Sequence, residues 1–217
     1  MIDLYAYATP NGRKPAILLE ELGLPYEIHK VDIGKGDQFS KAFLAISPNN
    51  KIPAIVDRDN GLSVFESGAI LMYLAEKYGQ FLPTDLAAKT KVVEWLMFQM
   101  ASVGPMFGQL GHFRNSAPEK INYAIARYEK EDLRLLGVLN RQLENNEFVV
   151  GDYSIADMAL YPWIAAAASS YLQLPLDDFP SVQRWLNTVG NRPAVKIGMK
   201  IFAPDFSSQY ANVLQTA

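Results

Sequence analysis

Lys51-Ile52-Pro53-Ala54-Ile55-Val56-Asp57-Arg58-Asp59-Asn60-Gly61-Leu62-Ser63-Val64-Phe65-Glu66-Ser67-Gly68 is the stretch on which the fold turns. Residues 54–57 and 62–65 are short apolar runs with β-branched members, and Asp59-Asn60-Gly61 lies between them. Asn-Gly tolerates the positive φ angles of a tight turn, so the two runs read as a hairpin. The period then changes. Over residues 67–78, Ile70, Leu71, Leu74 and Tyr78 fall on one helical stripe, so the hairpin feeds directly into a helix.

Working outward to the N-terminus, residues 2–7 read as a strand. Residues 11–22 read as a helix, with Pro15 in the first turn, where a missing N–H is tolerated, and Gly23 as the stop. Residues 26–33 read as a second strand and 37–46 as a short helix closed by Ser47-Pro48-Asn49-Asn50. The order is βαβαββα. Residues 79–86, with Pro83, read as a linker, and everything beyond is helical in pattern.

A long helix is expected from 89 to about 109, irregular near Gly104-Pro105. Ile121, Ile125, Tyr128, Leu135, Leu139 and Leu143 mark an amphipathic helix. Ser154-Ile155-Ala156-Asp157 is a capping box opening a helix expected to reach 171. Further helices are expected over 180–191 and from Arg192-Pro193, while the tail from Ala203 has no strong pattern. The expected division is 1–79, an α/β domain; 80–86, a linker; and 87–217, an all-helical domain.

A chain of 217 residues with 49% apolar and 20% charged side chains suits one large or two small globular domains. A net charge of −3 gives no basic face for nucleic acid. No apolar run approaches the ~20 residues of a membrane helix, and Met1-Ile2-Asp3-Leu4 does not read as a secretory signal. A cytoplasmic protein is expected. Zero cysteines exclude disulfide staples, a Cys-x-x-Cys centre and thiolate metal sites. His29 and His112 are far apart and fit no metal-ligand spacing, so each is expected to be a packed or surface imidazole and no metal is expected.

A small α/β domain in the thioredoxin-like order, followed by an all-helical domain, raises a family resemblance that the residues carry. Thr9-Pro10-Asn11-Gly12, Leu19-Glu20-Glu21-Leu22-Gly23-Leu24-Pro25-Tyr26, Ile46-Ser47-Pro48-Asn49-Asn50-Lys51-Ile52-Pro53-Ala54-Ile55, Phe65-Glu66-Ser67-Gly68-Ala69-Ile70 and Gly151-Asp152-Tyr153-Ser154-Ile155-Ala156-Asp157 resemble the cytosolic glutathione transferases in order and spacing. Asp32-Ile33-Gly34-Lys35-Gly36-Asp37-Gln38-Phe39 and Tyr123-Ala124-Ile125-Ala126-Arg127-Tyr128 resemble the bacterial nu class. That resemblance implies a glutathione-dependent disulfide-bond reductase, usually a two-fold dimer, whose interface the helix from Lys89 could supply.

The polar clusters fit such a ligand, because glutathione carries two carboxylates, an ammonium and a thiol. Ser67, where strand becomes helix, can hold a carboxylate with the helix N–H groups, and Glu66 can accept the ammonium. Ser67 can equally be a plain N-cap. The resemblance implies a cis bond before Pro53, with the Ile52 backbone pairing the ligand's cysteine like an added strand. Lys51 can neutralise the glycine carboxylate, and Gln38 can hydrogen-bond it. Thr9 and Asn11, at the first helix's start, are the candidates for favouring the thiolate. Tyr5 and Tyr7 lie close by and keep that assignment open, and Thr9 could simply cap the helix. Arg127 could reach a ligand carboxylate or thiolate, or pair with Glu131 on its own helix. The reaction partner would be a small disulfide. A conjugated electrophile and a non-catalytic glutathione-binding module remain the alternatives.

Overall fold

β1 (Ile2–Ala6) runs through the middle of a five-stranded sheet. Its composition suits that place: Ile2, Leu4 and Ala6 are wholly buried, and even Asp3 is nearly so. β1 pairs in parallel with β2 (Tyr26–Lys30), Leu4 opposite Ile28, and antiparallel with β3 (Ala54–Asp57), Leu4 opposite Ile55. The predicted hairpin joins β3 to β4 (Leu62–Phe65), with Ala54 opposite Phe65. Its turn closes through the Gly61 N–H on the Asp57 carbonyl at 2.7 Å, Gly61 standing at φ +72°. This computed structural model describes residues 1–214.

Helices α1 (Pro10–Leu22), α2 (Lys41–Ile46) and α3 (Ser67–Tyr78) complete the thioredoxin-like βαβαββα order. α1 begins tight against the sheet: a Cβ on Gly12 would stand 2.2 Å from the Tyr7 carbonyl oxygen, so only glycine fits. Gly23 ends the helix in the left-handed region at φ 63°. Because α1 starts at Pro10, Pro15 falls in its second turn rather than its first and supplies no N–H to the Asn11 carbonyl. The short helix expected over 37–46 is split into a 3₁₀ turn, Asp37–Phe39, and α2, because the extended Ser40 caps α2 through its Oγ.

The tail that lacked a pattern forms β5 (Ala211–Leu214), parallel to β2 from Tyr26↔Ala211 to His29↔Leu214. A short edge strand with mostly exposed side chains carries no alternation to read, yet it satisfies the outer N–H and C=O groups of β2. Residues 215–217 lie outside the described residues. α9 (Pro193–Gly198) packs on α1 so closely that a Cβ on Gly198 would come 2.7 Å from the Ile17 Cα, and Arg192 grips Glu21 with two bonds of 2.6 and 2.9 Å. Met1–Gln80 and the segment from Arg192 onward thus form one compact unit.

Phe81–Asn191 form the second unit. The single long helix expected from 89 is divided into α4 (Leu86–Phe98), a π-helical turn Gln99–Val103, and α5 (Gly104–Asn115). Pro105 has no N–H for the i−4 carbonyl, and the wider turn directly precedes it. α6 (Asn122–Leu143) buries Leu135, Leu139 and Leu143 of its expected stripe, with Leu136 beside them, whereas Ile121 stands exposed just before the helix. α7 (Ile155–Ala167) opens on the expected capping box but stops short of 171. There Ser169 turns its Oγ onto the Ala166 carbonyl at 2.7 Å, competing with the helix ladder. α8 (Pro180–Gly190) sets Trp185 in the core, its Nε1 donating to Asp157 at 2.8 Å. Among the described residues no helix is long and apolar enough to cross a membrane.

Candidate functional site

The register of β1, β3 and β4 decides which predicted residues meet. Ala54 stands opposite both Tyr5 and Phe65, so Pro53, the end of β1 and Glu66 all lie at one end of the sheet. The N-terminus of α1, with Thr9 and Asn11, follows β1 at that same end. Ile52-Pro53 is joined by a cis peptide bond, as expected.

The chain enters α3 through Glu66, held at φ 70° and ψ 118°. Positive φ is costly for a residue with a Cβ and persists only where its surroundings fix it. Here Asn49 Nδ2 donates to Glu66 Oε1 at 3.3 Å, tying the 47–50 loop to the strand-to-helix turn. That loop is itself braced by the buried Ser47, whose Oγ donates to the Lys51 carbonyl at 2.9 Å. Glu66 is the N-cap residue but makes no side-chain cap bond, and Ser67 is the first helical residue rather than the cap. An exposed carboxylate therefore stands one residue before a helix N-terminus. The first favours a cation, the second an anion, and together they suit a carboxylate-plus-ammonium ligand.

Beneath this end of α3 sits a residue that the sequence reading missed. Lys14, wholly buried, donates from Nζ to Ser67 Oγ at 3.2 Å. Burial pushes its ammonium down to about 7, against the pull of the nearby Glu66 carboxylate. Position 14 looks like a surface lysine in an amphipathic helix. Its only sequence signal is a place between Gly12 and Pro15, where α1 is pressed against its neighbours.

At the start of α1, Thr9 is the N-cap in extended conformation, and its Oγ1 accepts the Gly12 N–H at 3.1 Å. Asn11 is half-buried in the first turn. Both nearby tyrosines are engaged in packing. The Tyr5 ring stacks on His29 at 4.5 Å, and burial raises its hydroxyl's pKa. The Tyr7 ring packs near Phe202, with the Lys30 ammonium 5.5 Å from its centroid.

Lys51 is exposed. Gln38 lies in the turn before α2; its Nε2 reaches the Ile33 carbonyl at 3.5 Å, and its buried Oε1 has no hydrogen-bond partner among the described residues. Arg127 belongs to α6 in the second unit, where it lines an open cavity of about 870 Å³ with Met106, Tyr123 and Arg134. The alternative pairing with Glu131 is taken instead by Arg134, at 2.7 and 2.8 Å.

His29 is packed, as expected, but it is not alone. Asp3, Glu27 and His29 bring their ligand atoms within 4.8 Å of one another. Arg58 already occupies this group, bonding Asp3 at 2.5 and 2.8 Å and also Glu27, while His29 Nε2 lies 2.7 Å from Asp3. Burial pushes Asp3 up, but Arg58 and His29 outweigh it and hold the carboxyl below its usual range.

The geometry of the first unit has close counterparts. Residues 4–81 match the family model for the glutathione S-transferase N-terminal domain, and residues 100–193 match that for the C-terminal domain. The disulfide-bond oxidoreductase YfcG of Escherichia coli (strain K12) is 50% identical over 200 residues, 89% of this chain and 92% of that protein. YghU, a disulfide-bond oxidoreductase of the same strain, is 46% identical over 91% of this chain and 73% of its own length. A crystal structure of a glutathione transferase from Pseudomonas putida, with one glutathione disulfide bound per subunit, superposes with a TM-score of 0.89 at 47% identity. It covers 93% of this chain and 91% of that one.

Proposed function

The chain belongs to the glutathione S-transferase family, and from that premise we propose that it is a glutathione-dependent disulfide-bond reductase of the nu-class kind. One observation carries the reading. A chain with no cysteine holds Glu66 at positive φ immediately before a helix whose first residue is a buried serine, an arrangement that suits the zwitterionic end of a tripeptide. Similarity to the two oxidoreductases and to a transferase holding glutathione disulfide supports the choice of ligand and reaction.

In this reading the γ-glutamyl carboxylate lies on Ser67 and the α3 N-terminus, and Glu66 takes the ammonium. Ile52 pairs its backbone with the ligand's cysteine, next to Pro53. Lys51 and Gln38 take the glycine carboxylate. Thr9 and Asn11 donate to the sulfur and favour the thiolate, which is the nucleophile. The thiolate attacks one sulfur of a bound disulfide, forming a new S–S bond as the old one breaks, and the displaced thiolate takes up a proton. A second glutathione resolves the mixed disulfide, giving oxidised glutathione and the second thiol. The protein contributes proximity and electrostatics, not a sulfur. Arg127 is assigned to the same ligand on the strength of the resemblance. Met1–Gln80 with the segment from Arg192 act as the glutathione-binding unit, and Phe81–Asn191 as the helical unit, of a cytoplasmic homodimer; the helical domain expected over 87–217 gives up its last segment, because α9 packs on α1 and β5 pairs with β2.

The test is turnover of hydroxyethyl disulfide by the purified protein supplied with glutathione, set beside conjugation of a chlorinated nitrobenzene. Disulfide reduction well above the uncatalysed rate, and faster than conjugation, is expected. Faster conjugation would make it a conventional transferase, and no turnover of either would leave a binding module.

A further inference from the structure

We infer that the cavity on α6 selects the disulfide: its cations take the carboxylates of an acid-bearing half, which makes acidic disulfides the preferred substrate class. This inference deepens the glutathione reading above and rests on it, because that reading already gives Arg127 to the ligand. Tyr123, Arg127, Lys130, Glu131 and Arg134 follow one another at helical spacing on one face of α6 and line the same open cavity of about 870 Å³. Three cations against one carboxylate leave that wall two positive charges, in a chain whose net charge is −3. Tyr123, 76% exposed, and the half-buried Met106 of α5 add apolar surface beside the charges. A short carbon arm ending in a carboxylate suits such a lining.

The sequence of α6 hides this surplus. Between residues 127 and 134, the cations Arg127, Lys130 and Arg134 are matched by the acids Glu129, Glu131 and Asp132. The fold takes two of those acids out of the balance. Glu129 lies outside the cavity wall and pairs with Arg114 of α5 at 2.8 Å. Asp132 is wholly buried, and burial pushes its carboxyl up to about 8, so it is mostly uncharged at neutral pH. Glu131 stays ionised, because its bonds from Arg134 hold it below its usual range. Those same bonds, of 2.7 and 2.8 Å, commit Arg134 to it. Arg127 and Lys130 are exposed, and neither has a hydrogen bond or salt bridge among the described residues. They are the pair left to a ligand. Exposed charges in a cleft steer an anion inward, and salt removes the effect. The exchange itself is unchanged: the glutathione thiolate bonds to one sulfur of the acidic disulfide, and the other half leaves as a thiolate and is protonated. A second glutathione then resolves the mixed disulfide.

Turnover of three disulfides of equal arm length by the full chain with glutathione tests this: dithiodipropionate, hydroxyethyl disulfide and cystamine, which end in carboxylates, hydroxyls and ammoniums. Each kcat/KM is divided by the uncatalysed rate constant with glutathione at the same pH and salt, which removes the intrinsic effect of charge on the reactants. At low salt the enhancement for dithiodipropionate should exceed that for cystamine on the order of ten-fold, with hydroxyethyl disulfide between them. The gap should close at about 1 M salt, where charges are screened within about 3 Å. Lys130→Glu, at an exposed position, should lower the enhancement for dithiodipropionate roughly ten-fold and raise that for cystamine. Equal enhancements for all three, a preference for cystamine, or a preference for dithiodipropionate that Lys130→Glu leaves unaltered overturns the role of this cavity while leaving the glutathione reading intact. No turnover of any of the three overturns that reading and this inference with it.

Discussion

At the scale of single residues, the proposed reading assigns binding to Ser67 and chemistry to Thr9. Ser67 is buried at a helix N-terminus, where in that reading it meets the ligand in both thiol and thiolate forms. Ser67→Ala should weaken glutathione binding by about ten-fold, the loss of one hydrogen bond to a charged group. Thr9 has its Oγ1 at the start of α1, already accepting the Gly12 N–H, and keeps its hydroxyl hydrogen to donate. Thr9→Ala should leave glutathione affinity nearly unchanged but lower turnover of a disulfide. A titration and a rate measurement on each variant check the split, and parental behaviour of both variants would misplace the site. Ser67 and Glu66 were legible in the sequence because a strand-to-helix switch is a periodicity signal. Lys14 was not, because apart from its place between Gly12 and Pro15 nothing local distinguishes a lysine under a neighbouring helix from one in water. The positive φ of Glu66 was equally hidden, since it is imposed by β4, α3 and Asn49 together.

At the scale of elements, two buried aspartates mark what a pattern can and cannot tell. Asp157 was announced by its capping box. Its carboxylate accepts from the Val149 and Ser154 N–H groups at 2.9 and 3.1 Å, and from Trp185 Nε1. Asp132 sits in the gap of the apolar stripe of α6, between Tyr128 and Leu135, at a position that the helical period turns inward. It is wholly buried, and neither oxygen has a hydrogen-bond partner among the described residues. Burial pushes its carboxyl up to about 8, with Glu131 and Glu129 adding to the rise and Arg114 opposing it.

A raised carboxyl means that the folded state holds a proton which the unfolded state has released. Between the unfolded value of about 4 and the folded value of about 8, stability therefore falls as pH rises, by at most about 1.4 kcal/mol per pH unit. The parent should lose urea resistance relative to Asp132→Asn between about pH 5 and about pH 8. A constant difference across that range would mean that Asp132 does not carry the proton. The π-helical turn at Gln99–Val103 lies directly before the irregularity expected near Gly104-Pro105 and arises from a proline's missing N–H acting on the turn before it. The strand β5 was illegible, because it is made by the edge of β2, far away in sequence.

At the scale of the whole molecule, the order of elements was legible almost throughout, because each helix and strand of residues 1–78 carries its own period, cap or turn. Which residues share the site was legible only through the resemblance, since it depends on register: Ala54 facing Tyr5 and Phe65 is what sets Pro53, Thr9 and Glu66 at one end of the sheet. The account as a whole depends on a sulfur that the polypeptide lacks, carried in by a guest tripeptide. The most direct measurement is calorimetric titration of the intact protein with glutathione disulfide. Saturable binding is predicted, and it should weaken in Ser67→Ala. No measurable affinity of the well-folded parent for the tripeptide, reduced or oxidised, would contradict the account.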